Sequence, residues 1–130
     1  MPGRDLKRVL FAEDEADIRE IIDLALATVG GLELRPCASG EEAIEAATAF
    51  RPDLILLDVM MPGLDGPTTL ARLRARPDVA GIPAVFMTAK AQRHEVERFI
   101  ALGAADVIAK PFDPMTLAGQ LRAIWRRLPD

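Results

Sequence analysis

Asp58 closes an unbroken apolar run, residues 54–57, and is followed by Val59, Met60, Met61 and a Pro-Gly turn. A carboxylate where a buried strand runs out is costly unless it reaches solvent or meets a cation. Three other apolar runs also end in polar residues. Glu13 and Asp14 follow residues 9–12, Thr88 follows residues 82–87, and Lys110 follows residues 107–109. Three carboxylates brought together would repel, pushing at least one toward its protonated form. A hard divalent cation removes that repulsion, and oxygen donors without sulfur or imidazole favour Mg2+ over zinc. Mg2+ takes one or two direct carboxylates and leaves room for a phosphate oxygen. Thr88 can donate a hydroxyl hydrogen bond, and Lys110 can place a point charge on a phosphate. Asp58 is then a competent nucleophile for phosphoryl transfer through an aspartyl-phosphate.

For these residues to meet, the intervening elements must bring the strand ends together. Between the first and second apolar runs, Ile18, Ile21, Ile22, Ala25 and Val29 recur at helical spacing, and Gly30-Gly31 stops the pattern. Residues 32–37 alternate as a second strand ending in Cys37. Ser39 and Glu42 form a capping box for a helix with Ala43, Ile44, Ala47 and Phe50 inward. Gly66-Pro67 opens the next helix, with Asp65 as a loop or capping residue and Leu70 and Leu73 on its core side. The helix after Thr88 uses Val96, Phe99 and Ile100 and closes at Gly103. Asp113 is expected to cap a last helix with Pro114 at its first position and Leu117, Leu121, Ile124 and Leu128 on one stripe. Strict β-α alternation, five times over, predicts a parallel sheet covered by helices on both faces. Ligands of such sheets bind beyond the C-terminal strand ends, where the polar residues lie.

The bulk numbers narrow the function class. A chain of 130 residues, half of them hydrophobic, fits one domain with one sizeable core. A net charge of −4 argues against a nucleic-acid surface as the main function. One cysteine, Cys37, makes no internal disulfide and no Cys-x-x-Cys metal pair, and reads as a small half-buried residue. Residues 1–8 hold no apolar signal segment, and no run is long enough to span a bilayer, so a cytoplasmic location is expected.

In order and in register, "FAEDE", "LLDVMMPGLDG", "FMTA" and "GAADVIAKPF" resemble the receiver domain of bacterial two-component response regulators. The resemblance covers residues 8–127 and implies a single receiver domain over 1–130 with no output domain. It implies a flavodoxin-like, doubly wound α/β fold: five parallel strands in order 2-1-3-4-5 and five helices. Asp58 then matches the phosphoacceptor, which takes a phosphoryl group from a histidine kinase. Glu13 and Asp14 match the acidic pair that holds Mg2+, Asp14 directly and Glu13 through water. Met60 matches the residue whose backbone carbonyl meets the metal, Thr88 the hydroxyl that turns toward the phosphoryl group, and Lys110 the lysine that pairs with it. The Lys110-Pro111 bond is often cis in this family. Two departures stand out. Glu13 replaces the common aspartate, and Val107 occupies the place of the usual Tyr or Phe.

Competing interpretations accompany each residue. Asp58 could be a solvated strand end, Glu13 and Asp14 an acidic start to the first helix, and Thr88 an N-cap. His94 reads as an exposed helix residue and Trp125 as packing. The main expectation is a phosphorylation-dependent switch that assists its own phosphorylation and dephosphorylation but is not an enzyme. Its expected partners are a histidine kinase or a histidine phosphotransfer protein, and a downstream protein or second copy at the face of helix four, strand five and helix five. Ala91, Val96, Val107 and Trp125 are read as part of that face. Neither nucleic acid nor membrane is expected as a direct partner. The alternative is a phosphorelay intermediate or phosphate sink with an idle output face. A magnesium-dependent phosphatase is disfavoured because no cap or pocket insert exists. A flavin protein is weaker still, because no Ser/Thr/Gly-rich loop follows the first strand.

Overall fold

The computed structural model describes residues 4–129. Its strands are β1 (Arg8–Ala12), β2 (Glu33–Cys37), β3 (Leu54–Asp58), β4 (Ala84–Thr88) and β5 (Asp106–Ala109). They form one sheet of order β2-β1-β3-β4-β5, every neighbouring pair parallel. The helices are α1 (Ala16–Asp23), α2 (Gly40–Phe50), α3 (Gly66–Arg74), α4 (Arg93–Ala101) and α5 (Leu117–Arg127). This is the expected doubly wound α/β architecture.

Two cores flank the sheet, and the period of two along each strand sorts side chains between them. Val9, Phe11, Leu54, Leu56, Val85, Met87 and Ile108 face α1 and α5. Leu10, Ala12, Ile55, Leu57, Ala84, Phe86 and the half-buried Val107 face α2, α3 and α4. Because β3 and β4 are buried at every position, they could only read as continuous apolar runs.

Several local expectations are corrected. After Asp23 the first helix continues as a π-helical segment, Leu24–Val29. That change of period moves the apolar stripe: Ile22, Ala25 and Leu26 are buried, while Ile21 and Val29 are exposed. Ile100 on α4 is exposed as well. The last helix begins at Leu117 rather than at Pro114. Asp113 still accepts from the Met115 N–H at 2.9 Å, but it closes a turn ahead of the helix, and Leu117 N–H reaches the Asp113 carbonyl at 3.0 Å. Ser39 accepts from Glu42 N–H at 3.1 Å as expected, whereas the Glu42 carboxylate accepts from Ala38 N–H instead of completing the reciprocal bond. Trp125 is only 3% exposed and donates its indole N–H to the Arg4 carbonyl at 2.8 Å, so it packs and does not contribute to an outer face.

Candidate functional site

Each polar residue at a strand end arrives with its strand. The β1–β3 and β3–β4 registers set Ala12 beside Leu57 and Asp58 beside Met87, which brings the loop after β1 next to the last residue of β3. Glu13 is fully buried and its N–H donates to the Cys37 carbonyl at 3.0 Å. One carboxylate oxygen from each of Glu13, Asp14 and Asp58 lies within 4.8 Å of the others, which is the convergence expected for a cation site. All donors are hard oxygens, the set that suits Mg2+.

Lys110 enters from the end of β5. Its Nζ lies 2.7 Å from Glu13 Oε1 and 3.2 Å from Asp58 Oδ1. The Lys110-Pro111 peptide bond is cis. Lys110 N–H donates to the Thr88 carbonyl at 2.8 Å, tying β5 to β4 at the site.

Charge is unevenly balanced here. Burial pushes the Asp58 carboxyl up, the Glu13 carboxylate pushes it further, and the Lys110 ammonium only partly offsets them. For Lys110 burial acts downward, but the Glu13 hydrogen bond and the Asp58 charge outweigh it and hold the ammonium above its ordinary value. The cluster therefore keeps one firm cation and a carboxylate that is short of positive charge.

Thr88 is buried and its Oγ1 accepts from Lys90 N–H at 3.0 Å. It is not a helix cap: α4 starts five residues later behind a Gln92–Glu95 capping box. Met60 has its side chain in solvent, 74% exposed, so only its backbone faces the site. Its backbone N–H acts to lower the Asp58 carboxyl, the smallest of the influences on it. Asp65 caps α3 by accepting from Thr68 N–H at 2.8 Å, and His94 is exposed on α4.

Two positioning residues escaped the sequence reading. Arg19 reaches back from α1 and donates to the Glu13 carbonyl at 2.8 Å and the Asp14 carbonyl at 3.3 Å, fixing the acidic loop. A six-residue separation on a helix's first turns carries no recognisable signal for this. Gly66 packs against the backbone at the end of β3. A Cβ there would lie 2.6 Å from the Asp58 carbonyl oxygen and 2.9 Å from Val59 Cα. Beside the cluster, Ile18, Ile21, Pro111, Phe112 and Pro114 line an apolar cleft of about 390 Å3 whose wall includes Lys110. The exposed Ile21 is explained by this cleft.

Residues 9–122 match the response regulator receiver domain family. The chain is 39% identical over 123 residues to the transcriptional regulatory protein CseB of Streptomyces coelicolor, covering 95% of this chain and 51% of that protein. It is 37% identical over 121 residues to the phosphate regulon transcriptional regulatory protein PhoB of Pseudomonas aeruginosa, covering 93% of this chain and 52% of that one. The chain thus spans about half the length of the curated relatives it matches. The chemotaxis protein CheY4 of Vibrio cholerae superposes with a TM-score of 0.84 at 28% identity, covering 92% of this chain and 98% of that one. With the sheet order, the strand-end cluster and the sequence match in agreement, the chain belongs to the response regulator receiver domains of two-component systems.

Proposed function

We propose that Asp58 is the phosphoacceptor of this receiver domain and takes its phosphoryl group from a phosphohistidine on a histidine kinase or a histidine phosphotransfer protein. The observation that carries this reading is the unbalanced cluster: three convergent carboxylates with one ammonium among them. A structural carboxylate would be saturated by donors. Asp58 holds an oxygen beside Lys110 and remains short of positive charge.

Asp14 and Asp58, the Met60 carbonyl and, through water, Glu13 are the groups we assign to Mg2+. Bound there, the ion would neutralise the carboxylates and stabilise charge on a transferring phosphoryl group. In the transfer, an Asp58 carboxylate oxygen bonds to phosphorus while the phosphorus–nitrogen bond to the donor imidazole breaks. The electron pair of that bond stays on the imidazole nitrogen, which takes up a proton. Lys110 remains protonated throughout and offers its charge to the phosphoryl oxygens. Thr88 offers its hydroxyl to the same group. The apolar cleft next to Lys110 supplies contact area for the donor protein. Met60 and Lys90 are exposed at the rim and set the access of water.

The signal then leaves through protein contact over the face of α4, β5 and α5, where Ile100 and Leu102 are exposed. A relay or phosphate-sink role is the second reading, and Val107 favours it. This small side chain is half-buried in the α4-side core opposite Phe86, whose ring already packs edge-on against Phe99 at 5.3 Å. A cytoplasmic location belongs to the same proposal; no helix among the described residues is long and apolar enough to cross a membrane.

Incubation with a phosphorylated histidine-kinase domain tests the proposal. The expected result is Mg2+-dependent loss of label from the kinase and gain on this chain, absent in Asp58→Asn. Transfer that continues in Asp58→Asn contradicts it. Onward transfer to a histidine phosphotransfer protein would select the relay reading over the switch.

A further inference from the structure

At the opposite end of the sheet from Asp58, the segment before β1 and the last turns of α5 enclose a cleft of about 340 Å3. Besides Arg4, which pairs with Asp53, three cations from two separate elements line it: Lys7, Arg122 and Arg126. None of the three has a carboxylate within ion-pair distance among the described residues. In a chain with a net charge of −4, acids are the more abundant partners, yet none pairs with these three among the described residues. Among the described residues Asp5 is the one acid in the lining, so three cations without a described carboxylate partner face one carboxylate. The helix dipole accounts for Arg126 in the last turn of α5. It does not account for Lys7, which arrives from another segment, or for Arg122 a turn earlier.

The frame of the cleft is fixed. The buried Trp125 holds the Arg4 carbonyl through its indole N–H, and the Arg4 guanidinium lies over its ring at 5.6 Å while pairing with Asp53 at 2.8 Å. Arg122 is anchored by one donor to the Gly30 carbonyl at 2.6 Å, leaving its other N–H groups for a ligand. The volume falls in the range of small-molecule sites.

We propose that this cleft binds a small oligophosphate anion, its oxygens met by Lys7, Arg122 and Arg126. The site is separate from the phosphoacceptor cluster and does not depend on its assignment. Trp125, the single tryptophan of the chain, lines the cleft and reports on occupancy. The test is a titration of the full chain with sodium tripolyphosphate in divalent-free buffer, following tryptophan emission against a sodium chloride control of equal ionic strength. A saturable change is expected with tripolyphosphate and not with the chloride control. Lys7→Ala and Arg126→Ala should each weaken binding by about tenfold, the loss expected for one charge-assisted contact. Both side chains are exposed, so the variants should fold, which circular dichroism would verify. Arg93→Ala, on the exposed surface of α4, should bind as the parent does, and so should Lys110→Ala. Absence of a saturable change, equal affinity in the Lys7 and Arg126 variants, or loss of binding in Lys110→Ala would overturn the proposal.

Discussion

Asp53 and Asp58 bracket the same strand, and their carboxylates meet opposite surroundings. Asp53, just ahead of β3, accepts from the N–H groups of Lys7 at 3.0 Å and Arg8 at 2.9 Å and pairs with Arg4 at 2.8 Å. Burial alone would raise its pKa, but those donors prevail and hold the carboxyl below its ordinary value. Asp58, five residues on, is pushed above the ordinary value by burial and by Glu13, with Lys110 as a partial offset. One carboxylate has its acceptor capacity filled and joins the chain's N-terminal segment to the sheet. The other keeps capacity in reserve next to two further acids. Burial is similar in kind at both; satisfaction separates the structural acid from the proposed phosphoacceptor.

The largest expected contrast is chemical. Asp58→Asn should abolish phosphoryl labelling, while Asp53→Asn should label as the parent does, read by intact mass after exposure to a phosphodonor with Mg2+. The next contrast is in stability. Asp53→Asn replaces a charged acceptor of two backbone N–H groups and should cost about 2 kcal/mol in a urea melt. Asp58→Asn should instead raise the melting temperature in metal-free neutral buffer, because it removes a charge that the fold penalises. A pH series sharpens the same comparison. With a depressed folded pKa, Asp53 contributes stability that is fully present above 3.8, its ordinary value, and fades as pH falls through the folded value. With a raised folded pKa, Asp58 favours the fold below 3.8, its ordinary value, and that advantage is lost as pH rises through the folded value. The stability gap between the two asparagine variants should therefore shrink on acidification, as measured by melts across the acid range.

Gly66→Ala tests how tightly the strand end is held. The added methyl would meet two backbone positions, so the α3 N-terminus must shift, at a cost of about 2 kcal/mol in a urea melt and with slower labelling of Asp58. The smallest effect belongs to Met60→Ala. Because that side chain is in solvent and the group assigned to the metal is its carbonyl, the yield of labelling should match the parent, with only the lifetime of the label altered by water access.

Much of this was legible in the chain. The continuous apolar runs of β3 and β4 announced a sheet covered on both faces, and the polar residues closing β1, β3, β4 and β5 announced where the cluster would form. Asp65 as a cap and Gly103 as a stop, with φ of +110°, followed from local chemistry. The first helix was less legible, because a π-helical segment breaks the spacing on which the inward assignment of Ile21 and Val29 relied. The start of α5 was displaced because Asp113 and Pro114 form a turn as well as they form a helix start. Cys37 proved fully buried, with its thiol pushed up to about 12 by that burial, which no count of cysteines discloses. Arg19 and Gly66 act through distant backbone, and only the folded geometry places them.

The most direct test is to map the phosphoryl group. The protein would be exposed to acetyl phosphate with and without Mg2+, trapped by borohydride reduction of the acyl phosphate and sequenced by peptide mass spectrometry. The account predicts a single Mg2+-dependent modification at Asp58, with Asp53, Asp14 and Glu13 unmodified. Modification at another carboxylate, or none at Asp58 under conditions that label a known receiver, would contradict it.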